Sequence, residues 1–482
     1  MERADGFLES GTFARLRRAA VDRLLASRGP DGHWTGRLSS SALSTATAMA
    51  ALRLVSADVH ADRLAAGAAW LTATQLPDGS WGDTVASRGN LSTTLLCWSV
   101  LAALCETDAC RAAATGGAAC GRAAEWIETR TGGLDAERIG RALAEVYGRD
   151  RTFSVPILTH ATLCGRFGDP RLPATWRCVP QLPFELAALP RAWFRAVDMQ
   201  VVSYALPALI AIGQVRHASA PVRGALAAVR NAARSRTLDV LAAIQPADGG
   251  YLEATPLTSF VTMSLAGMGL GDHPVARRGT AFLTASQRSD GSWPIDTNLA
   301  TWVTTLAVTA LAAGGGLAEH CGAADREAIR RWLLDQQWRT VHPATGAAAG
   351  GWAWTDLAGG VPDADDTSGA VSALACLEAA EDRPPGDDVR RAAAAGMEWL
   401  ANLANRDGGI PTFCRGWGRL PFDTSCPDIT AHALRAVESW RALDPSAAST
   451  TAVSRMCRDA RRYLAVNQAA DGSWCPLWFG NE

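Results

Sequence analysis

The sequence predicts an all-α protein assembled from repeated helix pairs, and three observations carry that prediction. A short phrase recurs along the chain, each copy lies between an amphipathic and a more uniformly apolar stretch, and the phrase itself is turn chemistry. It reads Pro30-Asp31-Gly32-His33-Trp34, Gln75 to Asp78-Gly79-Ser80-Trp81, Gln245 to Asp248-Gly249-Gly250-Tyr251, and Gln287 to Asp290-Gly291-Ser292-Trp293. It returns as Gln337 to Gly350-Gly351-Trp352, as Asn405 to Asp407-Gly408-Gly409, and as Gln468 to Asp471-Gly472-Ser473-Trp474. Seven echoes are too many for chance, and they account for several of the 18 Trp.

The stretches before the phrase, such as Arg278 to Ser286 and Arg390 to Leu403, read as helices with one buried face. Those after it, such as Ser92 to Leu104 and Thr304 to Leu311, read as helices buried nearly all round. Between them Gly accepts the positive φ that ends a helix and Asp bonds its own backbone. Each aromatic is expected to pack on the next repeat, and each Gln to bond free amides at a neighbouring helix start. Such pairs stack into an open solenoid or close into an α/α barrel. The spacing breaks between Trp81 and Gln245, where Pro170, Pro173, Pro180, Pro183 and Pro190 mark a long connection. A domain junction is expected near Trp293: residues 26–292 form one domain, and 293–482 a second, joined by 1–25.

At 482 residues, two domains are the ordinary expectation. A balance of 46 basic against 48 acidic residues leaves no global field for nucleic acid, so no nucleic-acid partner is expected. The 12 Cys form no CxxC pair and read as small core residues of a reducing compartment. Met1 to Leu16 has no apolar signal core, and no stretch reaches the roughly 18 apolar residues of a membrane span. The most apolar run, Val201 to Gly213, suits a core or one-sided membrane contact.

Chemistry concentrates in two places. Asp363-Ala364-Asp365-Asp366-Thr367 precedes the helical run Gly369 to Ala380. One of these residues suffices as a helix cap, whereas three crowded carboxylates raise the proton affinity of at least one. A helix amino end and a nearby cation then keep that acid strong. The second place is Asp423 to Asp428-Ile429-Thr430-Ala431-His432, where Pro427 opens a helix that puts Asp428 and His432 on one face. An Asp that orients a His is a common supporting arrangement, and the His can bond the acid.

Taken together, these features resemble the class II terpene cyclases, most closely the squalene-hopene cyclase family, over residues 10–482. The recurring phrase is similar to that family's QW motifs, Asp363 to Thr367 to its DxDDT signature, and Asp423 to His432 to its DxxxxDxTAH segment. Gly351-Trp352-Ala353-Trp354 lies at the family's spacing ahead of the acids. The resemblance implies two α/α-barrel domains, the second catalytic. It implies proton-initiated, carbocationic polycyclisation of squalene or a similar linear triterpene to a hopene-type product. Asp365 is then the general acid, Asp363 and Asp366 tune it, and His432 with Asp428 and Asp423 supports it. Trp302, Trp354, Trp478, Tyr204 and Phe413, which stands where relatives carry Tyr, line the path of the cation. No cofactor or metal is implied for such a hydrocarbon.

Relatives continue past the position of Glu482 with further repeats, so the expectation is a barrel incomplete at its carboxyl end, active or inactive. The alternatives are a cyclase of C15 or C20 prenyl diphosphates, which adds Mg²⁺ and basic residues such as Arg415 and Arg419, or an inactive helical-repeat protein. An isoprenoid substrate implies a cytoplasmic protein held peripherally at the membrane, with Leu182 to Ile212 as docking surface. A homodimer is the further partner expectation.

Overall fold

The computed structural model describes residues 10–106, 114–148, 151–190, 205–314, 316–343, 345–381, 383–413 and 423–475. In chain order its helices of two turns or more are α1 (Ser10–Ala26), α2 (Ala42–Ser56), α3 (Ala61–Ala73), α4 (Leu91–Cys105), α5 (Ala114–Thr131) and α6 (Ala136–Tyr147). They continue with α7 (Arg151–Leu163), α8 (Leu206–Ser219), α9 (Ala225–Ala243), α10 (Thr255–Gly267), α11 (Pro274–Ser286) and α12 (Ala300–Ala313). The last five are α13 (Ala323–Asp335), α14 (Ala364–Ala379), α15 (Asp387–Leu403), α16 (Pro427–Leu443) and α17 (Thr451–Val466). The described strands are two-residue pairs: Ser40–Ser41 with Trp293–Pro294, and Ile410–Pro411 with Ser425–Cys426.

Two compact units result. The first comprises Arg37–Thr297 and Leu357–Gly359; the second comprises the described residues up to Gly36, Asn298–Asp356, and those from Gly360 onward. The boundary therefore lies beyond Trp293, and residues 26–36 join the second unit instead of the first. The cause is packing. Trp293 is buried in the first core, with its strand paired to Ser40–Ser41, whereas Trp34 is buried in the second core and its backbone N–H donates to Thr304 Oγ1 at 3.0 Å.

In the first unit α2, α4, α7, α8 and α10 pack side to side as a closed ring, with α3, α5, α6, α9 and α11 outside it, which is an α/α barrel. In the second unit α12, α14 and α16 form the inner layer, with α13, α15 and α17 outside. Inner helices are buried nearly all round: every residue from Ser92 to Leu104 of α4 is buried. Their hydroxyls turn back onto the helix, as Ser99 Oγ does to Leu95 O at 2.6 Å and Ser368 Oγ to Ala364 O at 2.6 Å. Outer helices such as α15 and α17 bury one stripe.

The repeat phrase is a hydrogen-bonded joint. Its Asp forms an Asx turn: Asp290 Oδ1 accepts from Ser292 N at 3.0 Å and Ser292 Oγ at 2.6 Å. Its Gly is left-handed, φ +89° at Gly291, and so close to Ala66 that an added Cβ would lie 2.5 Å from that carbonyl oxygen. The Gln expectation is corrected. Gln75 Nε2 donates to two carbonyls, Gly79 O and Ala119 O, both at 2.8 Å, because the side-chain amide donates across the joint into the first turns of the next outer helix. The indole rings reach the next outer helix, Trp293 at Gly67 and Trp352 at Gly396, and the indole N–H returns ten residues to the preceding helix, Trp81 to Leu71 O at 2.8 Å and Trp293 to Leu283 O at 2.7 Å. It thereby satisfies a carbonyl that a helix end leaves open.

One partner in this joint is not apparent from the phrase. The backbone N–H of the closing residue donates to a Thr on the following inner helix: Trp81 to Thr94, Tyr251 to Thr258, Trp293 to Thr45 and Trp352 to Thr367, all at 3.0–3.1 Å.

Candidate active site

The acidic motif is built on one of these joints. Trp352 and Asp363 form an antiparallel bridge in which Asp363 N donates to Trp352 O at 3.0 Å, while Trp352 N donates to Thr367 Oγ1. Thr367 thus serves the repeat architecture. Thr430 does the same in the second motif, accepting from Ile410 N at 2.9 Å. Asp363 is the N-cap of α14, with extended backbone and Oδ1 accepting from Asp366 N at 2.8 Å.

The three carboxylates occupy different environments. Asp363 and Asp366 are buried, and among the described residues Asp363 Oδ2 and Asp366 Oδ1 meet no donor within hydrogen-bond geometry. Burial pushes Asp363 up to about 8, against the bond it accepts from Asp366 N. Burial, then the proximity of Asp363, drives Asp366 well above the usual carboxylate range. Near neutral pH this pair is held largely as neutral acids, because neither charge has a counterion or enough donors. Asp365 differs. Its side chain is 31% exposed in the first turn of α14, and its Oδ1 lies 2.6 Å from His432 Nδ1 in the second turn of α16.

Asp428 does not supply the bond recorded at His432. Its Oδ1 accepts from the thiol of Cys426, the residue before α16, because Asp428 sits in the first turn beside that thiol and Asp365 takes Nδ1. Asp423 is buried, and its backbone carbonyl accepts from Asn405 Nδ2 at 3.0 Å.

The aromatic residues gather at the same helix ends. Trp354 O accepts from both Thr301 N at 3.0 Å and Trp302 N at 3.2 Å, tying the first turn of α12 to the segment ahead of the acids. Trp354 is buried, its indole N–H lacks a partner among the described residues, and its ring meets Phe413 edge-on, with centroids 5.9 Å apart and planes at 81°. Tyr204, Trp478, Arg415 and Arg419 lie outside the described residues, as does part of Leu182 to Ile212.

Comparison with known families now bears on this arrangement. The squalene-hopene cyclase N-terminal domain matches residues 18–159, and the squalene-hopene cyclase C-terminal domain matches residues 298–481. The chain belongs to the squalene-hopene cyclase family. Squalene–hopene cyclase of Alicyclobacillus acidocaldarius is 24% identical, over 98% of this chain and 77% of its own length. Sporulenol synthase of Bacillus subtilis is 24% identical over 48% of this chain and 37% of its own. Among solved structures, abietadiene synthase from Abies grandis superposes with a TM-score of 0.54 at 16% identity, covering 95% of this chain and 49% of that one. The ent-copalyl diphosphate synthase from Streptomyces platensis gives 0.52 at 21%, covering 96% and 76%. The fold is thus that of the class II terpene cyclases, and the chain spans about half of the abietadiene synthase chain.

Proposed function

We propose that this class II terpene cyclase family member cyclises squalene or a similar linear triterpene to a hopene-type polycycle, with Asp365 as general acid. The observation that carries the reading is the 2.6 Å contact between His432 Nδ1 and Asp365 Oδ1, beside two carboxyl groups that burial keeps neutral. His432 donates through Nδ1 to one oxygen of Asp365, and the helix amino end favours the carboxylate that remains after proton transfer. Neutral Asp363 and Asp366 leave no second negative charge beside Asp365. Asp423 and Asp428 belong to the supporting set around His432 in this reading.

The proton on Asp365 passes to the terminal alkene carbon as its O–H bond breaks. The tertiary cation is then attacked by successive double bonds, until loss of a proton or capture of water ends the sequence. Trp302, Trp354 and Phe413 offer ring faces worth about 0.5–2 kcal/mol each to a desolvated cation; Tyr204 and Trp478 are proposed for the same lining. No cofactor enters this chemistry. Mg²⁺ would matter only for a prenyl diphosphate substrate.

A water-insoluble substrate points to uptake at the cytoplasmic face of a membrane. In and beside the proposed docking segment, Leu172, Leu186 and Leu189 are exposed by 55%, 40% and 40%, and no described helix is long and apolar enough to cross a bilayer.

The test is incubation of the purified protein with squalene, farnesyl diphosphate and geranylgeranyl diphosphate, with and without Mg²⁺, followed by mass spectrometry of the products. Cyclised squalene formed without metal and lost in Asp365→Asn supports the reading. Turnover confined to a diphosphate moves it to the prenyl diphosphate cyclases, and no turnover at all counts against an active cyclase.

A further inference from the structure

Leu252 and Glu253 are the two residues other than glycine with positive φ among the described residues, at 57° and 53°. Two successive side-chain-bearing residues in this region are strained, and such strain persists only where surrounding contacts impose it. Here the result is a carboxyl group delivered to the interior of the first unit. Glu253 is 1% exposed, its Oε1 accepts from Gly359 N at 2.7 Å, and its Oε2 accepts from Thr297 Oγ1 at 3.2 Å.

Contact with Gly359 is close along the backbone as well. A Cβ there would lie 2.6 Å from Glu253 Oε1 and 2.7 Å from both Glu253 N and Gly250 O, so glycine is required. Leu357–Gly359 belongs to the first unit although Asp356 and Gly360 belong to the second. Gly360 is held within its own unit: His342 Nδ1 accepts from Thr345 N at 3.1 Å, which assigns the proton to Nε2, and Nε2 donates to Gly360 O at 3.1 Å. Residues 353–362 form the loop that begins after Trp352, carries Trp354 and ends at Asp363.

The titratable groups facing Glu253 among the described residues are Asp248 on the preceding turn and Asp296 on the Ile295–Thr297 segment. Burial, then the bond with Asp248 and its charge, push the Glu253 carboxyl up to about 9. At neutral pH it is a buried acid that donates to Asp248 while accepting from Gly359 and Thr297.

We propose that Glu253 is a positioning residue: its buried carboxyl pins Gly359, and so holds in place the middle of the loop that leads from Trp352 to Asp363. Its consequence for turnover rests on the cyclase reading; its effect on the loop does not.

Hydrogen exchange on the full-length chain, followed by mass spectrometry of peptides covering 353–362, tests it. Glu253→Gln keeps a carbonyl for Gly359 and an N–H for Asp248, so its exchange should match the parent. Glu253→Ala should speed exchange around Gly359 at least tenfold while the interior of α14 stays protected. Parent-like protection in Glu253→Ala, or lost protection in Glu253→Gln, overturns the proposal; if the Ala variant does not fold, the exchange of Glu253→Gln decides. In an active enzyme kcat should fall in the Ala variant with little change in KM and recover in the Gln variant. A parent without turnover would defeat the cyclase reading and leave the exchange result to judge the latch.

Discussion

His432 Nδ1 stands 2.6 Å from Asp365 Oδ1, joining the second turn of α16 to the first turn of α14. The two side chains are part-exposed, at 25% and 31%, whereas the flanking carboxyls of Asp363 and Asp366 are sealed from solvent. One carboxyl of three is therefore accessible to a substrate, and it is the one bonded to an imidazole.

Removing either partner should separate chemistry from folding. Asp365→Asn is expected to lower kcat by about 10²–10⁴, the usual contribution of a general acid, with the helical circular dichroism spectrum and melting midpoint nearly unchanged. His432→Ala should cost less, and combining the two should cost little more than Asp365→Asn alone, because both act on one proton. Additive losses in steady-state kinetics would separate His432 from the acid.

Stability should decline with alkalinity. Asp363 keeps its proton to about pH 8 in the fold, whereas an ordinary Asp releases it near 3.8, so across that window the unfolded chain binds fewer protons. The stabilisation is complete below about pH 4 and is lost as pH rises through about 8. Asp366 and Glu253 act in the same direction. Each such group contributes at most about 1.4 kcal/mol per pH unit within its window. Denaturant midpoints measured from pH 5 to 9 should fall, and Asp366→Asn should flatten the slope.

The indole N–H of Trp354, buried and without a partner among the described residues, makes a sharp test of what its ring does. Trp354→Phe removes the unsatisfied donor and keeps an aromatic face, so stability should hold or rise slightly and cyclisation should survive. Trp354→Leu keeps bulk without a π face. Its expected signature is a shift toward partially cyclised products, with a rate loss of about 0.5–2 kcal/mol, read by gas chromatography of the product mixture.

Gly291→Ala should destabilise the first unit by about 2 kcal/mol or more. It combines a left-handed φ of +89° with a Cβ placed 2.5 Å from the Ala66 carbonyl oxygen, and that backbone atom cannot rotate away. Urea unfolding measures this. A neutral outcome would mean that the joint yields more readily than its geometry suggests.

Much of this was legible in the chain because repeats make local signals redundant. The smooth stretch Ser92 to Leu104 lies within α4, and Arg278 to Ser286 within α11. Asp-Gly turns followed from side-chain reach and from the freedom of glycine, both of which are properties of a few adjacent residues. Thr94, Thr258 and Thr45 were not singled out, since an inner-helix Thr bonding a tryptophan backbone N–H leaves no fixed spacing: Thr94 lies 13 residues after Trp81, and Thr45 lies 248 residues before Trp293. Glu253 was missed for a similar reason, as nothing beside it in sequence announces a contact with Gly359.

By itself the sequence determined the helix pairs, their turns and the identity of the acidic motif, because these depend on periodicity and on short-range chemistry. Only the tertiary structure decided which carboxyl is reachable and which are held neutral. It also placed Asp428 on the Cys426 thiol, and drew the division between units beyond Trp293. Proton affinity depends on desolvation and on partners brought in from distant segments, and those exist only once the inner helices have packed.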